Sequence, residues 1–269
     1  MKFGSLFSGI GGIDLGLERA GMTCIWQSEI EPYACQVLAK HWPDIPNLGD
    51  IRDIDWTTVE RADLVAGGYP CQPFSIAGSR RGEDDPRHLW PMFAECIRVV
   101  RPRYALLENV SGHLGLGFGT VHADLAEIGY DARWDCIPAA ALGAPHLRDR
   151  VFVIATRRTS MDTDRESQSR QPKHGSTRPW PSPMAYASSK RRSASKRGPL
   201  SETRHDLRSS LASGPESWAS QPSVGRVAHG IPRRMDRLRA LGNAVVPQVA
   251  EHIGNIIMEA DNDCQIEAP

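Results

Sequence analysis

MKFGSLFSGIGGIDLGLERAG, residues 1 to 21, joins three local signals in one short stretch. A run of apolar and small residues ends in Phe7-Ser8-Gly9-Ile10-Gly11-Gly12, and an amphipathic segment follows that closes at Gly21. Apolar strand, glycine turn, then helix is the opening unit of a parallel sheet with helices packed on its faces. Glycines at that junction let a ligand approach the backbone and the helix N-terminus, where free N–H groups converge. Taken alone, the turn fits several nucleotide-like ligands, or none.

The alternation continues outward from this stretch. TCIWQSE (23–29) reads as a strand and PYACQVLAKHW (32–42) as a helix, and a third strand region is expected just before Asp50. ADLVAGG (62–68) is then the fourth strand, WPMFAECIRVVR (90–101) a helix and RYALLENV (103–110) a strand. A helix around VHADLAEIG (121–129) and strands at DARWDCI (131–137) and RVFVIAT (150–156) complete the series. Strand and helix at this spacing predict a doubly wound α/β sheet over residues 1–156. Residues 157–232 change character: they are rich in Ser, Arg, Pro and Gly, with little hydrophobic period. They read as a solvated, partly disordered insert or as a short nucleic-acid-binding region, with Trp180 and Trp218 as anchors. Residues 233–269 return to periodic structure, with a basic lead-in, a turn at Gly242-Asn243 and a final amphipathic helix.

The 32 basic and 32 acidic residues balance in total but not in position. Arg157 to Arg239 hold 18 Lys/Arg and 7 Asp/Glu, leaving 14 basic and 25 acidic residues elsewhere. A basic segment on an acidic body points to a polyanionic partner. The six cysteines (Cys24, Cys35, Cys71, Cys96, Cys136, Cys264) show no CxxC spacing and no neighbouring His cluster. That argues against a zinc site or a disulfide framework and for a reducing, cytoplasmic setting. No apolar stretch approaches a membrane span, and the N-terminal run is too short for a signal peptide.

Three groups of side chains carry candidate chemistry. Glu29 ends the second strand, where a ribose-binding acid sits in folds of this kind, and Asp50-Ile51 offers an adenine one polar and one apolar group. Cys71 lies in GGYPCQPFSIAG (67–78), where Pro70 and Pro73 stiffen the chain on both sides. Glu108 in ENV (108–110) and Arg148 and Arg150 in RDR (148–150) fall at the ends of neighbouring strands. A thiol, an acid and two guanidiniums at one sheet edge make a plausible covalent site. Each also has a plainer reading, as an inert thiol, a salt-bridge partner or surface cations.

These stretches together resemble the cytosine-5 DNA methyltransferase family. LFSGIGGIDLGLERAGM resembles its first motif, SEIEPYAC the second, GDI the third, GGYPCQPFSIAG the catalytic-cysteine motif and ENV the glutamate motif. RDRVFVIA resembles the paired-arginine motif and ALGNAVVPQVA the last cofactor motif, all in the family's order. The resemblance implies a Rossmann-like methyltransferase sheet using S-adenosyl-L-methionine, with residues 157–232 as a short target recognition region. It implies Cys71 as nucleophile, Glu108 as its acid partner, and Arg150 and Arg148 as the paired arginines, Arg148 the more structural. Cofactor contacts would come from Phe7, Gly9, Gly11, Gly12, Ile13, Glu29, Ile30, Asp50, Ile51, Pro70, Asn243 and Val245, with Leu89 or Trp90 nearby. The loop SIAGSRRGEDDPR (75–87) reads as a lid over a flipped base, with Ser75, Arg80, Arg81 and Arg87 toward DNA. The expected partners are double-stranded DNA and a cognate restriction endonuclease, the expected state is a monomer, and no metal or membrane is involved.

Two departures stand out. His146 occupies a place where the family usually has Gln, and the recognition region is short. A tRNA-directed branch of the family, a silent DNA-binding relative and a nucleotide-dependent oxidoreductase are the competing readings. The last leaves Cys71, Glu108 and the arginines without work.

Overall fold

In a computed structural model, residues 1–70, 89–115, 117–158 and 233–266 are described. Six strands are β1 (Lys2–Leu6), β2 (Thr23–Ser28), β3 (Leu64–Gly67), β4 (Tyr104–Val110), β5 (Tyr130–Pro138) and β6 (Asp149–Arg157). The helices are α1 (Gly12–Arg19), α2 (Pro32–His41), α3 (Trp90–Val100), α4 (Phe118–Glu127), α5 (Arg234–Asn243) and α6 (Pro247–Ile266). The strands form one sheet in the order β2-β1-β3-β4-β6-β5. β2, β1, β3 and β4 run parallel, and β6 is antiparallel to β4. The α/β expectation is met.

Burial explains why these residues form these strands. All four residues of β3 and six of the seven in β4 are buried, as expected when helices cover both faces of a parallel sheet. α3 turns Trp90, Phe93, Ala94, Ile97 and Val100 inward, a helical period of three and four. Trp26, Trp90 and Phe93 are fully buried, and each such side chain contributes about 1.5–3 kcal/mol.

The region before Asp50 departs from the expected third strand: it holds one isolated bridge, Gln27 to Asn47. The cause is the Asn47 side chain. Its Oδ1 accepts the Glu29 and Gly49 N–H groups at 3.0 and 3.2 Å, and its Nδ2 donates to the Glu29 carbonyl at 3.1 Å. Those bonds take the place of a continuing ladder, since an Asn side chain competes with regular pairing. Pro43 and Pro46 further limit pairing there. The cysteine turn therefore follows the third strand of the sheet, not the fourth.

The basic lead-in to the C-terminal segment is itself a helix, α5, which runs through Gly242 and Asn243, so the expected turn there falls instead between Ala244 and Val246, and α6 then packs on α1. A Cβ at Gly16 would lie 2.4 Å from the Ala250 Cβ and 2.5 Å from the Pro247 carbonyl oxygen. Gly254 meets Ala20 and Leu17 in the same way. Small residues on both helices permit this contact between chain segments more than 200 residues apart. The chain divides into two compact units. The described residues 1–136, 150–158 and 233–266 belong to one, and Ile137–Asp149 to the other. Within the second, a 3-10 turn (Ala139–Leu142) ends at Gly143, and the Ala139 N–H donates to the Arg148 carbonyl at 3.4 Å. No helix among the described residues is long and apolar enough to cross a membrane.

Beneath the glycine turn lies a buried carboxyl. Asp14 Oδ2 accepts from Ser5 Oγ at 3.0 Å and Oδ1 from Gln27 Nε2 at 2.7 Å, while Ser8 Oγ donates to Ser5 Oγ at 2.9 Å. Burial pushes Asp14 from the usual 3.8 up to about 6, against the pull of those hydrogen bonds. The folded state therefore holds this proton more tightly than the unfolded chain. Its effect on stability is absent below pH 3.8, grows unfavourable up to pH 6, and is constant above that, reaching about 3 kcal/mol. Asp14→Asn should escape that loss. Its stability relative to the parent, followed by urea unfolding, should improve by about 2–2.5 kcal/mol between pH 4 and pH 7. A gap independent of pH would contradict the assignment.

Candidate active site

The β1–α1 turn is built from left-handed residues. Phe7 (φ 52), Gly9 (φ 57) and Gly11 (φ 80) all have positive φ. For Phe7 that conformation is strained, and its ring packs near Phe93, with centroids 6.3 Å apart. A Cβ on Gly11 would strike Trp42, and one on Gly12 would lie 2.4 Å from the Val245 carbonyl oxygen. Those two glycines admit other parts of the protein. Gly9 is different: its nearest neighbour would be the Phe7 carbonyl at 3.9 Å, so this face of the turn is open.

Glu29 at the end of β2 reaches over that opening. Its Oε2 accepts the Gly9 N–H at 2.7 Å, and its Oε1 accepts the N–H groups of Ile30 and Glu31 at 2.8 and 2.7 Å. Ile30 next to it is 58% exposed, an uncovered apolar side chain. Asp50 accepts from Arg52 Nε at 2.9 Å, and this bond holds its carboxyl below the ordinary range. Ile51 and Ile13 are buried in the protein. Val245 is buried, with its carbonyl against Gly12, and Asn243 is exposed at the end of α5. Strand ends, glycine turn and the α5–α6 junction thus contribute to one unit of the fold.

On the other side of β1, β3 and β4 leave the sheet together. Glu108 on β4 is 8% exposed, and its Oε1 stands 3.0 Å from Arg150 Nε on β6. Register accounts for the pairing, because Val110 lies opposite Arg150 and Glu108 opposite Phe152. The guanidinium balances a carboxylate that burial alone would leave uncompensated. A Cβ on Gly68 would sit 2.5 Å from Glu108 Oε2, so the glycine leaves room for the acid beside the segment running to Pro70. Asn109 Nδ2 donates to the Tyr69 carbonyl at 3.2 Å. The two motifs, forty residues apart in sequence, are joined.

A family model for the C-5 cytosine-specific DNA methylases matches residues 1–224. The chain belongs to this family. Among curated relatives, the Type II methyltransferase M.NgoMIV of Neisseria gonorrhoeae is 39% identical over 182 residues, 64% of this chain and 58% of its own length. The Type II methyltransferase M.AquIA of Picosynechococcus sp. is 36% identical over 180 residues, 58% of this chain and 72% of its own. The chain therefore spans less than two thirds of the first of these. Among solved structures, a candidate DNA modification methyltransferase encoded within an E. coli prophage aligns with TM-score 0.51 and 27% identity, over 58% of this chain and 47% of that one. S. pombe Dnmt2 methyltransferase aligns with TM-score 0.51 and 22% identity over 64% and 57%, a likeness of fold.

The structure places the sequence-predicted residues as follows. Glu108 and Arg150 are in contact, and Phe7, Gly9, Gly11, Gly12, Glu29 and Val245 gather around the first turn. Cys71, Ser75, Arg80, Arg81 and Arg87 lie outside the described residues, as does the 159–232 segment. Pro70, half-buried, is the last described residue before Cys71. Arg148 (φ 38) and the exposed His146 belong to the second unit. Sequence reading passed over Asn47, Gly68 and Asn109. PNLGD (46–50) and the second residue of ENV were visible signals for Asn47 and Asn109, but which backbone groups they hold depends on the fold.

Proposed function

We propose that this chain transfers a methyl group from S-adenosyl-L-methionine to carbon 5 of a cytosine flipped out of duplex DNA, through a covalent adduct at Cys71. The observation that carries the reading is the buried Glu108 carboxylate, paired with Arg150 and seated against Gly68 of the cysteine motif. Type II methyltransferase names among the relatives support DNA as the substrate.

The residues present fit the cofactor. An open Gly9 face under a strand-end carboxylate suits ribose hydroxyls, exposed Ile30 suits the face of an adenine, and Asp50 suits its amino group. Bound there, S-adenosyl-L-methionine supplies an electrophilic methyl group. Phe7, Gly11, Gly12, Ile13, Ile51, Pro70, Asn243 and Val245 shape or border this pocket.

Carbon 5 of cytosine is a weak nucleophile. The Cys71 thiolate adds to C6, and the displaced electron pair runs through the ring toward N3 and the carbonyl. Glu108 shares a proton with N3 and so balances the developing charge, and Arg150 holds Glu108 and the cytosine carbonyl in place. C5, made electron-rich by that addition, would then be the atom able to accept the cofactor's methyl group, with the electron pair of the broken S–CH3 bond staying on the cofactor's sulfur. Loss of the C5 proton to solvent water then returns the electron pair and expels Cys71 as thiolate. Ser75, Arg80, Arg81 and Arg87 contact the DNA backbone around the flipped nucleotide, Arg148 plays a supporting role, and residues 157–232 read the target. A monomer acting in the cytoplasm beside a cognate restriction endonuclease completes the reading.

The test uses the full chain with S-adenosyl-L-methionine and duplexes carrying 5-fluorocytosine, in which fluorine blocks the last step. A denaturation-resistant adduct mapped to Cys71 is expected. Adducts on tRNA alone would move the substrate to RNA, and cofactor binding without adducts on varied sequences of either kind would defeat the proposal.

A further inference from the structure

The segment between β3 and Cys71 holds a polar contact that packing alone does not require. The Tyr69 ring lies in an aromatic nest, with its centroid 5.4 Å from Trp90 and edge-on to Phe93 at 6.1 Å and His113 at 5.5 Å. A phenylalanine would fill that nest equally well. A buried tyrosine hydroxyl needs a hydrogen-bond partner, and here Tyr69 Oη and His113 Nε2 share a bond of 2.7 Å. His113 is 2% exposed and sits in the 3-10 turn (Ser111–Gly115) directly after β4.

The exits of two parallel strands are thereby tied at two levels. The backbone tie is Asn109 Nδ2 to the Tyr69 carbonyl, and the side-chain tie is Tyr69 to His113. Asn109 follows Glu108, and Tyr69 stands two residues before Cys71. A shift of one exit against the other would change the distance from the acid to whatever the cysteine segment presents.

We infer that the Tyr69–His113 hydrogen bond is a positioning contact for methyl transfer, holding the Pro70 end of the cysteine segment in register with Glu108. This rests on the proposed cytosine chemistry and adds two residues to it. Neither touches a reacting atom. Both act through the geometry of the groups that do, for which a displacement near 1 Å costs on the order of 100-fold in rate.

The experiment compares Tyr69→Phe, His113→Leu, the double variant and His113→Gln with the parent chain. Single-turnover methylation of duplex DNA, dissociation constants for S-adenosyl-L-methionine and DNA, and melting temperature are measured for each. Tyr69→Phe and His113→Leu should each slow transfer about 10- to 100-fold, with both affinities within about twofold of the parent. The double variant should be no slower than either single change, because one bond is lost in all three. His113→Gln, whose amide can reach Tyr69 Oη, should recover most of the rate. Rates within twofold of the parent, additive losses, or losses that follow the folded fraction would each overturn the inference. A parent chain that methylates cytosine while the variants match it removes this inference alone. One that methylates no cytosine in any substrate removes the proposed function with it.

Discussion

Cys71→Ser should lower methyl transfer by about four orders of magnitude or more, the scale on which losing a covalent nucleophile acts, and should leave S-adenosyl-L-methionine affinity within about twofold. A thiol ionises near pH ~8.5 and nearby positive charge lowers that further, whereas a serine hydroxyl stays protonated at any working pH. Without addition at C6, carbon 5 has too little electron density to take the methyl group. The cofactor contacts proposed at Gly9, Glu29 and Asp50 come from the β1 and β2 side of the sheet and do not pass through residue 71. Equilibrium binding of the cofactor and a burst assay with radiolabelled methyl separate the two quantities. A serine variant turning over within tenfold of the parent would refute the nucleophile, and a parallel collapse of cofactor binding would mean that the substitution damages the fold.

Glu108→Gln should slow transfer about 100- to 10,000-fold, the range associated with a positioned proton donor or acceptor. Glutamine keeps the shape beside Gly68 and can hydrogen-bond to N3, but it cannot share a mobile proton as charge builds on the ring. It also removes the negative charge that stands beside Arg150. That guanidinium stands 3.0 Å from the carboxylate, and both side chains are largely covered. Loss of the pair should destabilise the chain by about 1–3 kcal/mol. Adduct formation on 5-fluorocytosine DNA should slow by the same factor as turnover, because the acid acts at the addition step. Unfolding curves correct for the fraction folded. A glutamine variant that forms the adduct at the parental rate would place the role of Glu108 after addition.

Most of the sheet was legible along the chain because its cues are local. Glycines at Gly9, Gly11 and Gly12, apolar runs such as YALL and VFVIA, and amphipathic helices such as WPMFAECIRVV announce themselves within a dozen residues. The region before Asp50 misled that reading, since Ile45 and Leu48 offer short apolar cues until Asn47 is seen bonding the Glu29 backbone. α5 was equally hidden: it buries no side chain, so its hydrophobic pattern carries little signal.

The candidate site divides along the same line. Residue type and position nominated Glu29, Cys71, Glu108 and the Arg148/Arg150 pair, and only the family resemblance gave them roles and ranked Arg150 first. Tertiary structure decided that Arg150 rather than another cation meets Glu108, that Gly12 yields to Val245, that Asp14 is buried, and that Tyr69 bonds His113. Hydrophobic period and turn chemistry act over a few neighbours and are therefore written in the local sequence. Register between strands and contact between distant segments arise only when the chain closes on itself, and the pairing of its polar groups is settled there.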